Sequence, residues 1–288
     1  MPMLVRSHLQ VEQLQIPIRG LPERRRGLKI VQLSDFHYDG QLLSEDLLDQ
    51  AIDLSNQANA DLIVLTGDFV SAQPDPIRAL AQKLTQLRSR YGSFAVLGNH
   101  DLIYPHARRD ITQALTQIDV TVLWNQVVYP CGADFALVGL PDFWAKDFDP
   151  GSVLAAIDAQ IPRLVLSHNP DSAAVLKSWR VDLQLSGHTH GGQIIIPGIG
   201  NLSAIAARQF DNLPPFIQAA FPIFRACQRV VKNWDWAAGY HQVGSNQLYV
   251  NRGLGTYPPG RLFCPPEVTV ITLMPDHSPQ KSPCDVLT

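Results

Sequence analysis

The chain has 288 residues, 45% hydrophobic and 17% charged, a composition that excludes a disordered chain and a collagen-like fibre. Its 23 lysines and arginines against 26 aspartates and glutamates give a formal charge of −3, without the basic excess of a general nucleic-acid binder.

At the N-terminus, His8, Gln10, Glu12 and Gln13 interrupt any apolar run, so no signal peptide is read there. No stretch reaches the roughly 18 apolar residues of a membrane span, and a cytoplasmic location is expected. Residues 1–27 read as an arm. Arg19, Arg24, Arg25, Arg26 and Lys29 face a single acid, Glu23, around its end. The plain reading is a solvated loop; the sharper one is a contact for anionic lipid head groups.

Short apolar runs then alternate with longer amphipathic segments. Leu28 to Leu33 is a strand candidate leading into Ser34-Asp35-Phe36-His37. Ser44 is placed to cap a helix that reaches about Ala58. Leu62 to Leu65 leads into Thr66-Gly67-Asp68, and residues 76–89 carry a helical stripe. Phe94 to Leu97 leads into Gly98-Asn99-His100-Asp101, followed by a shorter helical pattern over 106–118. Residues 135–139 form another strand candidate. Leu164 to Leu166 leads into Ser167-His168-Asn169-Pro170 and a helix over 170–178. Leu183 and Leu185 lead into Ser186-Gly187-His188-Thr189-His190, and further strands are expected at 194–196, 247–251 and 267–273. Alternating strands and helices imply an α/β domain, with the polar blocks collected at strand carboxyl ends. The four cysteines, Cys131, Cys227, Cys264 and Cys284, form no C-x-x-C, which fits a reducing compartment.

Five strand ends thus deliver Asp35, His37, Asp68, Asn99, His168, His188 and His190. Five of the nine histidines (37, 100, 168, 188 and 190) fall in these blocks, a concentration that scattered core histidines would not produce. Carboxylates and imidazoles without a thiolate suit Mn²⁺, Fe or Zn²⁺. Seven ligands are too many for one tetrahedral site but suit two ions sharing a carboxylate. His188 and His190, two residues apart, face one side of an extended segment.

Asp-x-His, Gly-Asp, Gly-Asn-His-Asp, His and Gly-His-Thr-His, in that order over residues 34–190, resemble the calcineurin-like metallophosphoesterase superfamily. The resemblance implies a four-layer αββα sandwich and a dimetal site, with Mn²⁺ the favoured ion. It implies that Asp35, His37 and His190 bind the first ion, that Asn99, His168 and His188 bind the second, and that Asp68 bridges both. A hydroxide between the ions would attack phosphorus. His100 would stabilise the phosphoryl oxygens or protonate the leaving group. Asp101 either orients His100 or caps a turn. Gly187, Gly191 and Gly192 are read as places where backbone passes close to metal or phosphate. The chain departs from the phosphoprotein phosphatases of the superfamily at Ser71-Ala72-Gln73, where those enzymes carry Asp-Arg-Gly, which argues against a phosphoprotein substrate.

The tail from Tyr249 to Leu273, taken with Gly187–Gln193, is similar to a bacterial subgroup that includes cell-envelope phosphodiesterases and a UDP-2,3-diacylglucosamine pyrophosphohydrolase. Arg252 and Arg261 are candidates for pairing with substrate phosphate. Residues 201–240 hold Phe210, Phe216, Phe221, Phe224, Trp234 and Trp236, with a helix expected from Pro214 and kinked at Pro222. This stretch reads as a lid on the site or as an interfacial helix that meets a membrane. One metallophosphoesterase domain over 28–275 and a flexible tail over 276–288 are expected. The expected activity is hydrolysis of a phosphodiester or pyrophosphate, small or lipid-linked, with no nucleic-acid partner. The alternatives are a broad phosphomonoesterase, a silent metal-binding scaffold and a peripheral lipid-binding protein.

Overall fold

The computed structural model describes residues 8–211, 231–258 and 260–277. In chain order the strands are β1 (Gln10–Arg19), β2 (Leu28–Leu33), β3 (Leu62–Leu65), β4 (Ser93–Ala95), β5 (Val120–Val122), β6 (Gln126–Val128) and β7 (Ala136–Gly139). They continue with β8 (Arg163–Leu166), β9 (Leu183–Ser186), β10 (Ile195–Ile196), β11 (Gly200–Asn201), β12 (Gly239–Val243), β13 (Asn246–Val250) and β14 (Glu267–Asp276). The helices are α1 (Glu45–Gln57), α2 (Ile77–Leu84), α3 (Ala107–Thr116), α4 (Pro150–Leu154), α5 (Ala173–Leu176) and α6 (Leu202–Asp211).

Two six-stranded sheets carry the fold, in the orders β1-β14-β2-β3-β4-β5 and β12-β13-β9-β8-β7-β6. Within them β2, β3, β4 and β5 run parallel, as do β7, β8, β9 and β13. Alternate residues of each strand face opposite ways, and here both faces are apolar. Ile30, Leu62, Val64 and Ile271 of the first sheet meet Leu137, Leu164, Leu166 and Leu183 of the second in a core between the sheets. Their neighbours Val31, Leu33, Ile63 and Leu65 pack beneath Leu48, Ile52, Leu80 and Ile111 of α1, α2 and α3. Across the molecule, Val138 and Val165 pack against Val153, Leu154 and Leu176 of α4 and α5. The layers run helix, sheet, sheet, helix, the expected sandwich.

Local signals act where expected. Ser44 Oγ accepts from Leu47 N at 3.3 Å at the start of α1, with Glu45 and Asp46 in the first turn favouring its positive end. The arm expected over 1–27 is different. Residues 10–19 form the edge strand β1, paired in parallel with β14 over all ten positions. Ile16 and Ile18 enter the core between the sheets. Pro17 is tolerated at this edge, and its carbonyl accepts from Gln247 Nε2 at 2.8 Å. Four of the five basic side chains are tied to the protein. Arg24 and Arg25 pair with Asp134, Arg26 pairs with Glu23, and Lys29 Nζ donates to the Ala58 carbonyl. That favours the loop reading over a lipid contact.

The helix expected from Pro214 lies outside the described residues, as does the tail beyond 277. Among the described residues, no helix is long and apolar enough to cross a membrane.

Removing residues 1–19 strips two buried isoleucines, about 3–6 kcal/mol of apolar burial, and bares β14. We expect such a protein to lose most of its resistance to urea unfolding; an unchanged midpoint would restore the arm.

Candidate metal centre

The expected ligands gather where the two sheets present their carboxyl ends side by side. The loops after β2 and β3 continue as a ladder: Asp35 N donates to the Gly67 carbonyl, His37 N to Asp68 and Tyr38 N to Phe69, at 2.9–3.0 Å. Phe36 and Phe69 stack beneath, ring centroids 5.5 Å apart, and anchor both loops in the helix-side core. The backbone turns sharply at the site. Asp35, His37, Asp68, His188 and His190 all take positive φ, five of the ten non-glycine residues that do so among those described. Two glycines allow the close approach: a Cβ at Gly98 would collide with Asp68 Oδ1, and one at Gly187 with Asp35 Oδ2.

The ligand atoms of Asp35, His37 and His190 lie within 4.8 Å of one another, and so do those of Asp68, His168 and His188. Asp68 Oδ2 faces both sets, 3.5 Å from His37 Nε2 and 3.1 Å from His168 Nε2. Asn99 Oδ1 is 3.2 Å from His168 Nε2, and His188 Nδ1 is 3.1 Å from the same nitrogen. His100 completes a third set with His37 and Asp68.

The outer ring nitrogens are oriented. His168 Nδ1 donates to the Thr66 carbonyl at 2.7 Å and His190 Nδ1 to the Gly255 carbonyl at 3.2 Å. Both rings therefore turn Nε2 inward. His37 Nε2 and His190 Nε2 stand 3.0 Å apart, a contact that requires a proton on one of them or a cation between. The all-N/O donor set suits a divalent first-row ion. The free thiol of Cys264 contacts the His190 and Gly191 carbonyls instead.

Electrostatics point the same way. Burial pushes Asp35 up to about 6, helped by the Asp68 charge. Burial also drives His37 down to about 3 and His190 well below its ordinary value, so both rings are neutral. Burial opposes charge on His168 too, but Asp68 and Asp35 outweigh it and push the ring up to about 10. Burial resists a charge on Asp68 as well, yet His168, His100 and His37 hold its carboxyl well below the usual range. Without an ion, His168 carries a proton beside Asp68; uptake of an ion releases it and is favoured as pH rises.

Asp101 has the turn-capping role. Its Oδ2 accepts from Asp68 N and Gly98 N, both at 2.9 Å, and its Oδ1 from Phe69 N at 2.9 Å and Val70 N at 3.3 Å. His100 Nδ1 is held instead by the Ser71 carbonyl at 2.5 Å, leaving Nε2 for another partner.

The two arginines expected to face phosphate are engaged within the protein. Arg252 pairs with Glu12 and Glu267, both at 2.7 Å, and ties β1 to β14. Arg261 is fully buried and bonds backbone carbonyls throughout the 252–264 loop. Gly191 and Gly192 make room for Cys264 and Asn201 rather than for the centre. Sequence reasoning missed Tyr257, whose hydroxyl lies 2.8 Å from His37 Nδ1. Its only signal is the preceding Gly253-Leu254-Gly255.

The family model for calcineurin-like phosphoesterases matches residues 28–192. The chain is 34% identical over 250 residues to phosphodiesterase YaeI of Escherichia coli (strain K12), covering 85% of this chain and 82% of that protein. It is 31% identical to the uncharacterized metallophosphoesterase YkuE of Bacillus subtilis (strain 168), covering 88% and 81%. It is 28% identical to the UDP-2,3-diacylglucosamine pyrophosphatase LpxG of Chlamydia muridarum, covering 85% and 83%.

Asp101→Asn sets an amide NH₂ against backbone N–H groups, at about 1–3 kcal/mol for each one left unpaired. We expect a lower melting temperature together with loss of bound metal. A side chain that merely oriented His100 would instead lower turnover at unchanged stability and metal content.

Proposed function

Because the chain belongs to the calcineurin-like phosphoesterase family, we propose that it hydrolyses a phosphodiester or pyrophosphate at a paired metal centre. In this reading Asp35, His37 and His190 hold one ion, Asn99, His168 and His188 hold the other, and Asp68 is shared. The observation that carries it is the position of Asp68 Oδ2, within 3.5 Å of both His37 and His168. Two bound divalent ions supply an activated water at neutral pH and charge neutralisation for the attacking and leaving oxygens. Mn²⁺ is our favoured ion among the divalent first-row ions, Mn²⁺, Fe and Zn²⁺, that imidazole, carboxylate and amide donors suit.

The chain's own residues do the rest. His37 and His190, neutral in the interior, offer lone pairs without first losing protons. Asp101 keeps Asp68 at the meeting point of the sheets through the backbone N–H groups it gathers. His100, fixed through Nδ1, can donate from Nε2 only as the imidazolium, and we assign it to the phosphoryl or leaving-group oxygen.

The substrate class draws on the relatives named as a phosphodiesterase and as a UDP-2,3-diacylglucosamine pyrophosphatase. A lipid-linked substrate is supported by large apolar side chains left exposed around the site's end of the sheets. Trp144 follows β7, Ile199 tips the β10–β11 hairpin and Phe263 sits in the Arg261 loop, at 44%, 66% and 65% exposure. We place peripheral membrane contact on this same surface, with α6 at its border.

Purified protein stripped of metal and reloaded with Mn²⁺ should cleave bis-p-nitrophenyl phosphate in preference to p-nitrophenyl phosphate. Asp68→Ala should abolish turnover, and His100→Ala should lower kcat by about 10²–10⁴ at unchanged metal content. The reverse substrate order would favour a broad phosphomonoesterase. No turnover of either ester or of an acylated nucleoside pyrophosphate, with metal bound, would indicate a silent scaffold.

A further inference from the structure

Residues 253–257 lie beyond the stretch that the family model matches, yet they touch every side chain grouped above around one ion. Gly255 N donates to the Asp35 carbonyl at 2.7 Å, and Leu254 N donates to the Ser34 carbonyl at 3.0 Å. A Cβ at Gly253 would collide with the Asp35 side chain. The Gly255 carbonyl receives His190 Nδ1 at 3.2 Å, and Tyr257 Oη lies 2.8 Å from His37 Nδ1. The Tyr257 ring stands edge-on to His37 and His190, with centroids 4.8 and 5.4 Å away. The other ligand group is steadied from elsewhere, His168 Nδ1 by the Thr66 carbonyl.

The segment is itself held rigidly. Arg261, 1% exposed, directs Nη2 at the carbonyls of Arg252, Gly253 and Gly255 at 2.7, 3.2 and 2.7 Å. Its Nη1 reaches the His190 and Cys264 carbonyls, both at 3.3 Å. Five carbonyl dipoles compensate a guanidinium that would otherwise be costly to bury. The Gly255 carbonyl thus serves Arg261 and His190 together. The Tyr257 backbone is pinned on both sides by Gln193, whose Oε1 accepts from Tyr257 N at 2.8 Å and whose Nε2 donates to the Tyr257 carbonyl at 3.3 Å.

The partner of His37 differs in kind from those of His168 and His190. A carbonyl only accepts, so it forces the outer nitrogen to carry the proton. A phenol accepts or donates. A ligating Nε2 needs its lone pair, which places the proton of a neutral ring on Nδ1 and makes Tyr257 Oη the acceptor.

We propose that Tyr257 is a positioning residue for one ion of the pair. By accepting from His37 Nδ1 it selects the tautomer and ring orientation that turn Nε2 toward the ion held by Asp35, His37 and His190. The Arg261-clamped segment brings it there. The inference rests on the ligand grouping proposed above.

Metal binding tests it without turnover. Mn²⁺ is titrated into metal-free protein and followed by calorimetry and by electron paramagnetic resonance. The wild type should take up two ions and give the spectrum of an exchange-coupled pair. Tyr257→Phe should keep one ion at wild-type affinity and bind the other about 10- to 100-fold more weakly, with an uncoupled spectrum at one equivalent. The retained ion also reports that the variant is folded. Asn99→Ala should weaken the opposite ion, so the double variant should hold neither tightly. A variant matching the wild type, equal weakening at both ions, or one tight ion surviving in the double variant overturns the role of Tyr257. A wild type that binds fewer than two ions overturns the grouping, and the inference with it.

Discussion

Asp68 sits where two sheets meet, buried, with one carboxylate oxygen facing histidines from both. A carboxylate in the interior is costly unless it is paired and hydrogen-bonded. Much of the surrounding structure answers that cost. Asp101, itself buried, gathers the N–H groups of Asp68, Phe69, Val70 and Gly98 and so fixes the loop. His100 N donates to Asp68 Oδ1 at 2.9 Å. Gly98 has no side chain, which is what lets Asp68 close on it. Asp35 adds a second buried carboxylate close by, and a pair of cations would neutralise both.

The backbone at the centre is constrained as tightly as the charge. Asp35 and His37, two residues apart, reach the centre while Phe36 and Tyr38 anchor in the helix-side core, the alternation of a strand carried past its end. Here it is carried on left-handed backbone at Asp35 and His37, and Asp68, His188 and His190 also take positive φ. Such conformations cost of order 1–3 kcal/mol each and persist only where packing over-determines them. The two aliphatic cores on either side of the first sheet, and the ladder joining the loops after β2 and β3, supply that packing.

The five ligand blocks could be read from the sequence because each follows a short β-rich run, so one periodicity places both the strand and its polar end. Partners distant along the chain could not be read this way. Arg252 and Arg261 look like phosphate binders by residue type, and only the folded loop shows their guanidinium groups occupied by Glu12, Glu267 and backbone carbonyls. Asp101 seemed equally suited to His100 or to a turn, because the N–H groups of Asp68 to Val70 lie more than thirty residues away in sequence. The strand β1 shows little alternation, its inner face being marked chiefly by Ile16 and Ile18 at the edge of a sheet. Tyr257 belongs to no periodic pattern and becomes meaningful only once Gln193 and Gly255 bring it to His37.

The proposed centre stands or falls on two ions sharing Asp68. Crystals of the Mn²⁺-loaded protein, measured by anomalous diffraction, decide this. Two peaks are expected about 3.5–4 Å apart, with the Asp68 carboxylate between them. One of them should be bounded by Asp35, His37 and His190, the other by Asn99, His168 and His188. A single peak at full occupancy, or two peaks that do not both contact Asp68, would contradict it.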